Sequence, residues 1–383
     1  MPQKPLRIVH LVSSLLNGGM EHFVLRLCAA QRKLGLDARV VAIKTGPLAA
    51  DAAALGVPVT VLQRGGKYDR ILRGATEMAR LRPDIVHVHN TTSLHYAVLG
   101  RLVSGARIVL TDHAQINRVP RTFEWYLTDV AVAVSGDTAR KSTAHRVLAE
   151  VRVFHNGVDF QPPRRSRAEV RAELGLGEQL VAIHVARFVP LKAQETVVAA
   201  AGVLAARGGG EEGGAPDITV LFVGDGPERA VVERLAGEVG VSGDQVRFLG
   251  YRTDVADLLA ASDIFILSSR TEGLPLSVLE AMTHRLAIVT TPVGGVPELC
   301  SDGESALFFA VDDALSLADA LDKLRDPSLR ARLGAAAQAR ALADFSFAAM
   351  TQKYLDLYRE VLSRSHLERA ATLVERLGRS ARA

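Results

Sequence analysis

Two carboxylates, Glu272 and Glu280, stand eight residues apart in the stretch SSRTEGLPLSVLEAM. The apolar run DIFIL before it reads as a strand, and Pro275 suits the first turn of a helix. That places Glu272 in a loop and Glu280 one to two turns inside the helix. So arranged, the two groups can touch opposite ends of one elongated polar ligand, with backbone groups of Gly273, Leu274 and Pro275 between them. Taken singly, Glu272 is equally a helix N-terminal charge and Glu280 a solvated face residue. Upstream, Arg187 and Lys192 flank a loop in HVARFVPLK, and two fixed cations are suited to a diphosphate. Among 46 basic residues, that spacing alone also describes an ordinary surface.

His87 and His89, two apart in DIVHVHN, face the same way on a strand, at the end where open α/β sheets take ligands. A metal centre there needs a third ligand that the sequence does not identify, so packing or cleft lining is favoured and no metal is assigned. His113, in VLTDHA, has the same address after another strand. Asn17, Gly18 and Gly19 lie between a strand and a helix, where backbone N–H groups favour an anion; the same three residues also make a plain tight turn. Gly224-Asp225-Gly226-Pro227 follows the strand ITVLFV but lacks the third glycine of a dinucleotide fingerprint.

These residues need elements to position them. Strand-like runs fall at residues 6–12, 38–43, 57–62, 85–89, 107–111 and 130–134, and a helical apolar spacing at 20–34. A second series falls at 180–185, 218–223, 245–249, 263–267 and 287–290. Strands alternating with helices imply parallel, doubly wound sheets, so the fold class is α/β with two Rossmann-like domains in tandem. The pattern breaks in DFQPPRRSRAEVRAELGLGEQ, which divides the chain into residues 1–162, 163–345 and a helical end from 346 to 383. In that end Met350, Tyr354, Leu355, Tyr358 and Leu362 form an apolar stripe, followed by a basic tail that reads as a surface helix rather than a membrane-interface one. GGGEEGGAP, residues 208–216, reads as a flexible surface loop.

Composition sets the outer limits. With 383 residues, 48% hydrophobic and 23% charged, the chain supports a packed core in each half, which excludes a disordered or fibrous protein. Two distant cysteines, with no Cys-x-x-Cys partner, point away from a disulfide framework and toward a reducing, cytoplasmic compartment. No signal peptide and no membrane span is expected. Residues 1–160 hold 21 Lys and Arg against 12 Asp and Glu, while residues 161–383 hold 25 against 30. The basic first half suits an anionic lipid, a phosphorylated substrate or nucleic acid, or is only a solvated basic surface. Lys67, Arg70, Arg73, Arg80 and Arg82, with Arg118 and Arg121 near Phe123 and Trp125, could dock an anionic membrane. No nucleic-acid recognition motif is present, and no nucleic-acid partner is expected.

Taken in order, NGGMEHFV, DIVHVHN, TDHA, VSGDTAR, HNGVD, ARFVPLK, VGDGPER, VRFLGYR, TEGLPLSVLEAM and TPVGGVPELCSDGESALF carry a resemblance over residues 6–362. The chain resembles the retaining nucleotide-sugar glycosyltransferases of group 1, glycosyltransferase family 4. That resemblance implies the GT-B fold, in which two Rossmann-like domains face each other across a cleft and a C-terminal helix crosses back to the first.

It also implies roles. Arg187 and Lys192 would hold the donor's diphosphate, and Glu280 the ribose hydroxyls. Glu272, with Gly273, Leu274, Pro275 and Leu276, would hold the transferred sugar. His113 would contact that sugar across the cleft, Gly18 and Gly19 would line the site, and Gly250 and Tyr251 would lie near the base. The implied activity is transfer from a nucleoside-diphosphate sugar, as co-substrate, to a glycan or lipid-linked acceptor with retention of configuration. No separate cofactor is implied, and the chain contains no Asp-x-Asp, in keeping with cations replacing a metal at the leaving group. Surface polysaccharide, lipopolysaccharide or glycolipid synthesis is the expected setting, at the cytoplasmic face of a membrane. An epimerase or phosphorylase on the same scaffold, or an inactive scaffold protein, are the alternatives.

Overall fold

The computed structural model describes residues 4–16, 18–62, 66–113, 127–144, 150–208, 217–241 and 243–365. It divides into two compact units, Met1–Asn156 with Ala348–Ala383, and Gly157–Phe347. Both crossings thus lie a few residues from the divisions read in the sequence, for a local reason. Val158 N donates to Phe345 O at 2.8 Å and Phe347 N to Val158 O at 3.2 Å, so the two crossing strands are stitched together. The charge run of the stretch DFQPPRRSRAEVRAELGLGEQ belongs to the second unit. Arg165 pairs there with Asp257 at 3.0 Å and with Asp254 and Glu173, ahead of a helix, Arg167–Glu173, that Ser166 and Glu169 close with a capping box.

The first unit is built on a parallel sheet of β1 (Arg7–Ser14), β2 (Asp37–Lys44), β3 (Val59–Val61), β4 (Ile85–Val88), β5 (Arg107–Asp112), β6 (Val130–Ala133) and β7 (Glu150–Val153). Their order is β3-β2-β1-β4-β5-β6-β7, which reverses direction between β1 and β4. Strands β4, β5 and β6 are buried at every position, as strands covered on both faces are, and the polar groups they bury, such as His87 and Thr111, are hydrogen-bonded. β7 escaped the sequence reading because its EVRV alternation is that of an exposed edge. The helix Phe347–Ser363 buries Met350, Tyr354, Leu355 and Tyr358, and from Ala348 onward it belongs to the first unit. Arg152 of β7 and Glu360 of that helix form a two-toothed ion pair at 2.5 and 2.6 Å. The last described helix therefore crosses back to the first sheet, as expected.

The second unit carries β8 (Leu180–Val185), β9 (Ile218–Val223), β10 (Val246–Gly250), β11 (Ile264–Leu267), β12 (Ala287–Thr290) and β13 (Leu307–Phe308) in the order β10-β9-β8-β11-β12-β13, all parallel. Two residues long, β13 is too short to leave a periodic signal. Its core gathers Phe188, Phe222 and Val197, and Phe222 and Phe248 stack with centroids 5.2 Å apart. The order turns between β8 and β11, the position where this class of sheet opens a crevice at its carboxyl edge. Among the described residues no helix is long and apolar enough to cross a membrane.

Candidate functional site

The loops leaving β8 and β11 at that crevice carry Arg187 and Lys192 on one side and Glu272 on the other. After β8 the chain turns through a short 3-10 helix, Pro190–Lys192, and ends it at Ala193, which has a left-handed φ of 46°. A residue with a Cβ costs about 1 to 2 kcal/mol there, so the turn is held by its neighbours. Gln194 Nε2 donates to Arg187 O at 3.0 Å, Arg270 N to Leu191 O at 2.8 Å and Ser268 Oγ to Lys192 O at 2.8 Å. Behind Ser268 stands His184, which burial first and the Lys192 charge second push down to about 3, so it is neutral. The loop leaving β11 thus clamps the cation-bearing loop.

Glu272 is nearly buried, with 9% of its side chain exposed. Its Oε1 accepts from Ser269 Oγ at 2.6 Å and is paired with the Lys192 ammonium. Thr291 Oγ1 in turn donates to Ser269 O at 2.6 Å. Gly294, at φ 58°, presses against the backbone of Glu272: a Cβ there would lie 1.9 Å from Glu272 O, so no other residue fits without moving the loop. Gly295 N donates to Gly273 O at 2.8 Å and completes the support. Ser269, Thr291 and Gly294 escaped the sequence reading. The pair of glycines in TPVGG was the available signal for one of them.

The helix that follows begins at Leu276, with Pro275 as its N-cap rather than in its first turn. The difference is one residue: Pro275 has ψ 118°, outside the helical range, while its carbonyl already begins the ladder by accepting from Leu279 N, as an N-cap does. Glu280 is the fifth residue of the helix and half-buried, so both carboxylates occupy the places expected of them. The first-turn N–H groups, Leu276 among them, have no partner within the helix. Arg187 is exposed, and no bond of its side chain is found among the described residues. Gly250 closes β10 at φ 68° in a register shift against β9, with Gly224 N donating to its carbonyl at 2.8 Å, and Tyr251 beside it is exposed. Gly224 and Gly226 serve packing. A Cβ on them would lie 2.0 and 2.2 Å from the carbonyls of Ala186 and Phe188, so they let the β9 loop press on the cation-bearing loop.

His113, Gly18 and Gly19 belong to the first unit. Gly18 is the N-cap of the helix Gly19–Lys33 after β1, and Asn17 lies outside the described residues. His113 follows β5, with Phe23 of that helix edge-on to its ring at 5.1 Å. His87 and His89 point the same way, rings 4.1 Å apart, and His10 of β1 joins them. Their ring nitrogens could approach a cation, yet all six are already spent. His10 bonds His89 at 3.0 Å and Gln31 at 2.8 Å, His87 bonds Tyr358 and Thr111 at 2.7 Å each, and His89 bonds His113 at 3.3 Å. The cluster is a sealed polar network, and a metal would have to break it. His10 went unread because LRIVHLV reads as core strand.

Two families match in tandem: Glycosyltransferase Family 4 over residues 17–161 and Glycosyl transferases group 1 over residues 166–340. The chain is 28% identical to the N-acetyl-alpha-D-glucosaminyl L-malate synthase of Bacillus anthracis over 77% of this chain and 80% of that one. It is 33% identical to the lipopolysaccharide core biosynthesis glycosyltransferase LpsE of Rhizobium meliloti, over 54% of this chain and 57% of that one. In fold it matches Anabaena HepE, solved in complex with UDP and glucose, at a TM-score of 0.80 and 20% identity, covering 93% of this chain and all of that one. With two parallel Rossmann-like sheets, the tandem family matches and the clamped site at the second switch point, the chain belongs to the group 1, family 4 glycosyltransferases of GT-B fold.

Proposed function

We propose that this glycosyltransferase takes a nucleoside-diphosphate sugar as donor and transfers the sugar, with retention and without a metal, to a glycan or lipid-linked acceptor in surface polysaccharide, lipopolysaccharide or glycolipid synthesis. The observation that carries the proposal is the Lys192–Glu272 pair, with Arg187 on the same loop, at the carboxyl edge of the second sheet. A cation suited to a diphosphate there stands beside a carboxylate suited to sugar hydroxyls, which supports the reading. The relatives named for lipopolysaccharide core and glucosaminyl-malate synthesis, and a structural neighbour holding UDP and glucose, favour the same donor class.

In the reaction, the bond between the sugar's anomeric carbon and the diphosphate oxygen breaks, and its electron pair leaves with the diphosphate. Lys192 and Arg187 stabilise the charge that develops there. The acceptor oxygen attacks from the same face, and its proton passes to a departing phosphate oxygen. Glu272 and the first-turn amides hold the sugar, and Glu280 the ribose. Calorimetric titration with UDP, GDP and ADP in EDTA tests the donor site. Tight binding of one nucleotide, lost in Glu280→Ala, is expected; no binding to any of the three would remove the reading.

A lipid-linked acceptor implies a membrane surface. Arg118, Arg121, Phe123 and Trp125 lie outside the described residues, and Arg80 is spent on Glu77 at 2.6 Å. The helix Lys67–Leu81 nevertheless exposes Tyr68 at 85% and Leu72 at 68%, one turn apart and beside Arg73. Sedimentation with anionic vesicles at low salt should exceed that with neutral ones and fall in Leu72→Ser. Equal sedimentation would leave the helix without this role.

A further inference from the structure

Eight polar side chains in the first unit form one unbroken hydrogen-bonded chain. It runs from His113 through His89, His10, Gln31, Tyr358, His87 and Thr111 to Tyr354, with separations of 3.3, 3.0, 2.8, 3.3, 2.7, 2.7 and 3.1 Å. Apart from His113, its members are fully or almost fully buried. Every inner link joins two groups that can each give one proton and take one, so the direction of any single bond dictates the next.

Gln31 is the one member whose two ends differ. Its Oε1 faces His10 and can only accept; its Nε2 faces Tyr358 and can only donate. His10 must therefore carry its proton on Nε2, which leaves Nδ1 to accept from His89 Nε2. His89 Nδ1 then accepts from His113 Nε2. On the other side Tyr358 gives its proton to His87 Nδ1, and His87 Nε2 donates to Thr111. Burial supports four neutral rings: His10 is pushed down to about 4, His113 to about 3, and His87 and His89 well below the ordinary range.

We propose that Gln31 is a positioning residue that holds His113 in its Nε2–H tautomer and so leaves His113 Nδ1 as a fixed acceptor. Among the described residues His113 Nδ1 has no partner. An acceptor there suits a hydroxyl of a sugar, a consequence that rests on the donor reading above; the tautomer itself does not. Two members of the chain, Tyr354 and Tyr358, come from the helix Phe347–Ser363, so the direction is completed only when that helix is packed in the first unit.

The test is the long-range proton–nitrogen NMR spectrum of the full chain with 15N-labelled histidine, at pH 7.5 and without any nucleotide sugar. His10, His87, His89 and His113 should all show the Nε2–H form. An Nδ1–H form at His113 overturns the proposal. Gln31→Met should release His113 into a mixture of tautomers and lower kcat/KM for the sugar donor about fivefold; an unchanged single tautomer also overturns it. Gln31→Glu covers the event that the apolar variant does not fold. A carboxylate accepts on both sides, so His113 should stay Nε2–H while His87 turns to Nδ1–H, and an unmoved His87 counts against the chain. Because the spectra need no donor, their failure is separate from failure of the proposed activity.

Discussion

Lys192→Ala is expected to lower turnover by about 100- to 1000-fold, with Arg187→Ala similar, while both variants stay folded. Breaking the bond to the diphosphate puts charge on an oxygen that water would otherwise solvate slowly. A cation already held in place lowers that barrier without reorganising. Lys192 is pre-placed by the clamp from Ser268 and by Glu272, and its side chain is 24% exposed, so its loss leaves no sealed void. The kinetic form is as diagnostic as the size. If the contact strengthens only in the transition state, kcat and kcat/KM fall together and KM hardly moves. Steady-state rates with the donor identified by calorimetry, beside a circular dichroism melt, decide it. Wild-type turnover in a folded variant would remove either cation from the diphosphate role.

The first unit is expected to lose stability steeply between pH 6.5 and 5. His10, His87 and His89 are neutral when folded, because burial lowers their proton affinity, and they regain an ordinary affinity on unfolding. As pH falls below 6.5 the unfolded chain binds protons that the folded one refuses, so stability drops with pH. For His10 the loss continues down to its folded value of about 4 and then stops. At pH 5.5 each buried ring costs about 1.4 kcal/mol, and the three together about 4 kcal/mol, comparable with the roughly 5 to 15 kcal/mol that holds a domain. Carboxylates act lower. Arg152 and Arg364, for example, hold Glu360 down to about 2, so its contribution is lost outside this window. Thermal melts at pH 7.5, 6.5, 5.5 and 5 should show the transition of the first unit falling with uptake of about three protons by these rings and about one more by His113, which burial also pushes down, to about 3. A flat midpoint over that range would show that these rings are charged or solvated in the folded state.

Much of the second-unit site was legible because its residues are close in sequence. Glu272, Gly273, Leu274, Pro275, Leu276 and Glu280 lie on one strand–loop–helix segment, and the apolar run before it fixes where that segment starts. Arg187 and Lys192 follow β8 for the same reason. The division near residue 160 was visible in composition, whereas the anchoring of the charge run beside it shows only in its ion partners, Asp254 and Asp257. The histidine chain was half legible. His87, His89 and His113 were singled out, but their partners lie on β1, on the next helix and on the last described helix, with Gln31 bonded to Tyr358 across 327 residues.

Alternating apolar runs and turn residues by themselves determined two α/β units, most of the strands and the loops that carry the charged groups. Those are local properties, since a parallel strand buried on both faces is mostly apolar wherever it occurs. Tertiary structure decided what each charged or polar group does. It paired Lys192 with Glu272, left room only for a glycine at position 294 behind that loop, and spent every ring nitrogen of His10, His87 and His89 on a neutral neighbour. Hydrogen bonding and desolvation act across a few ångströms of space, and chain distance carries almost no information about them.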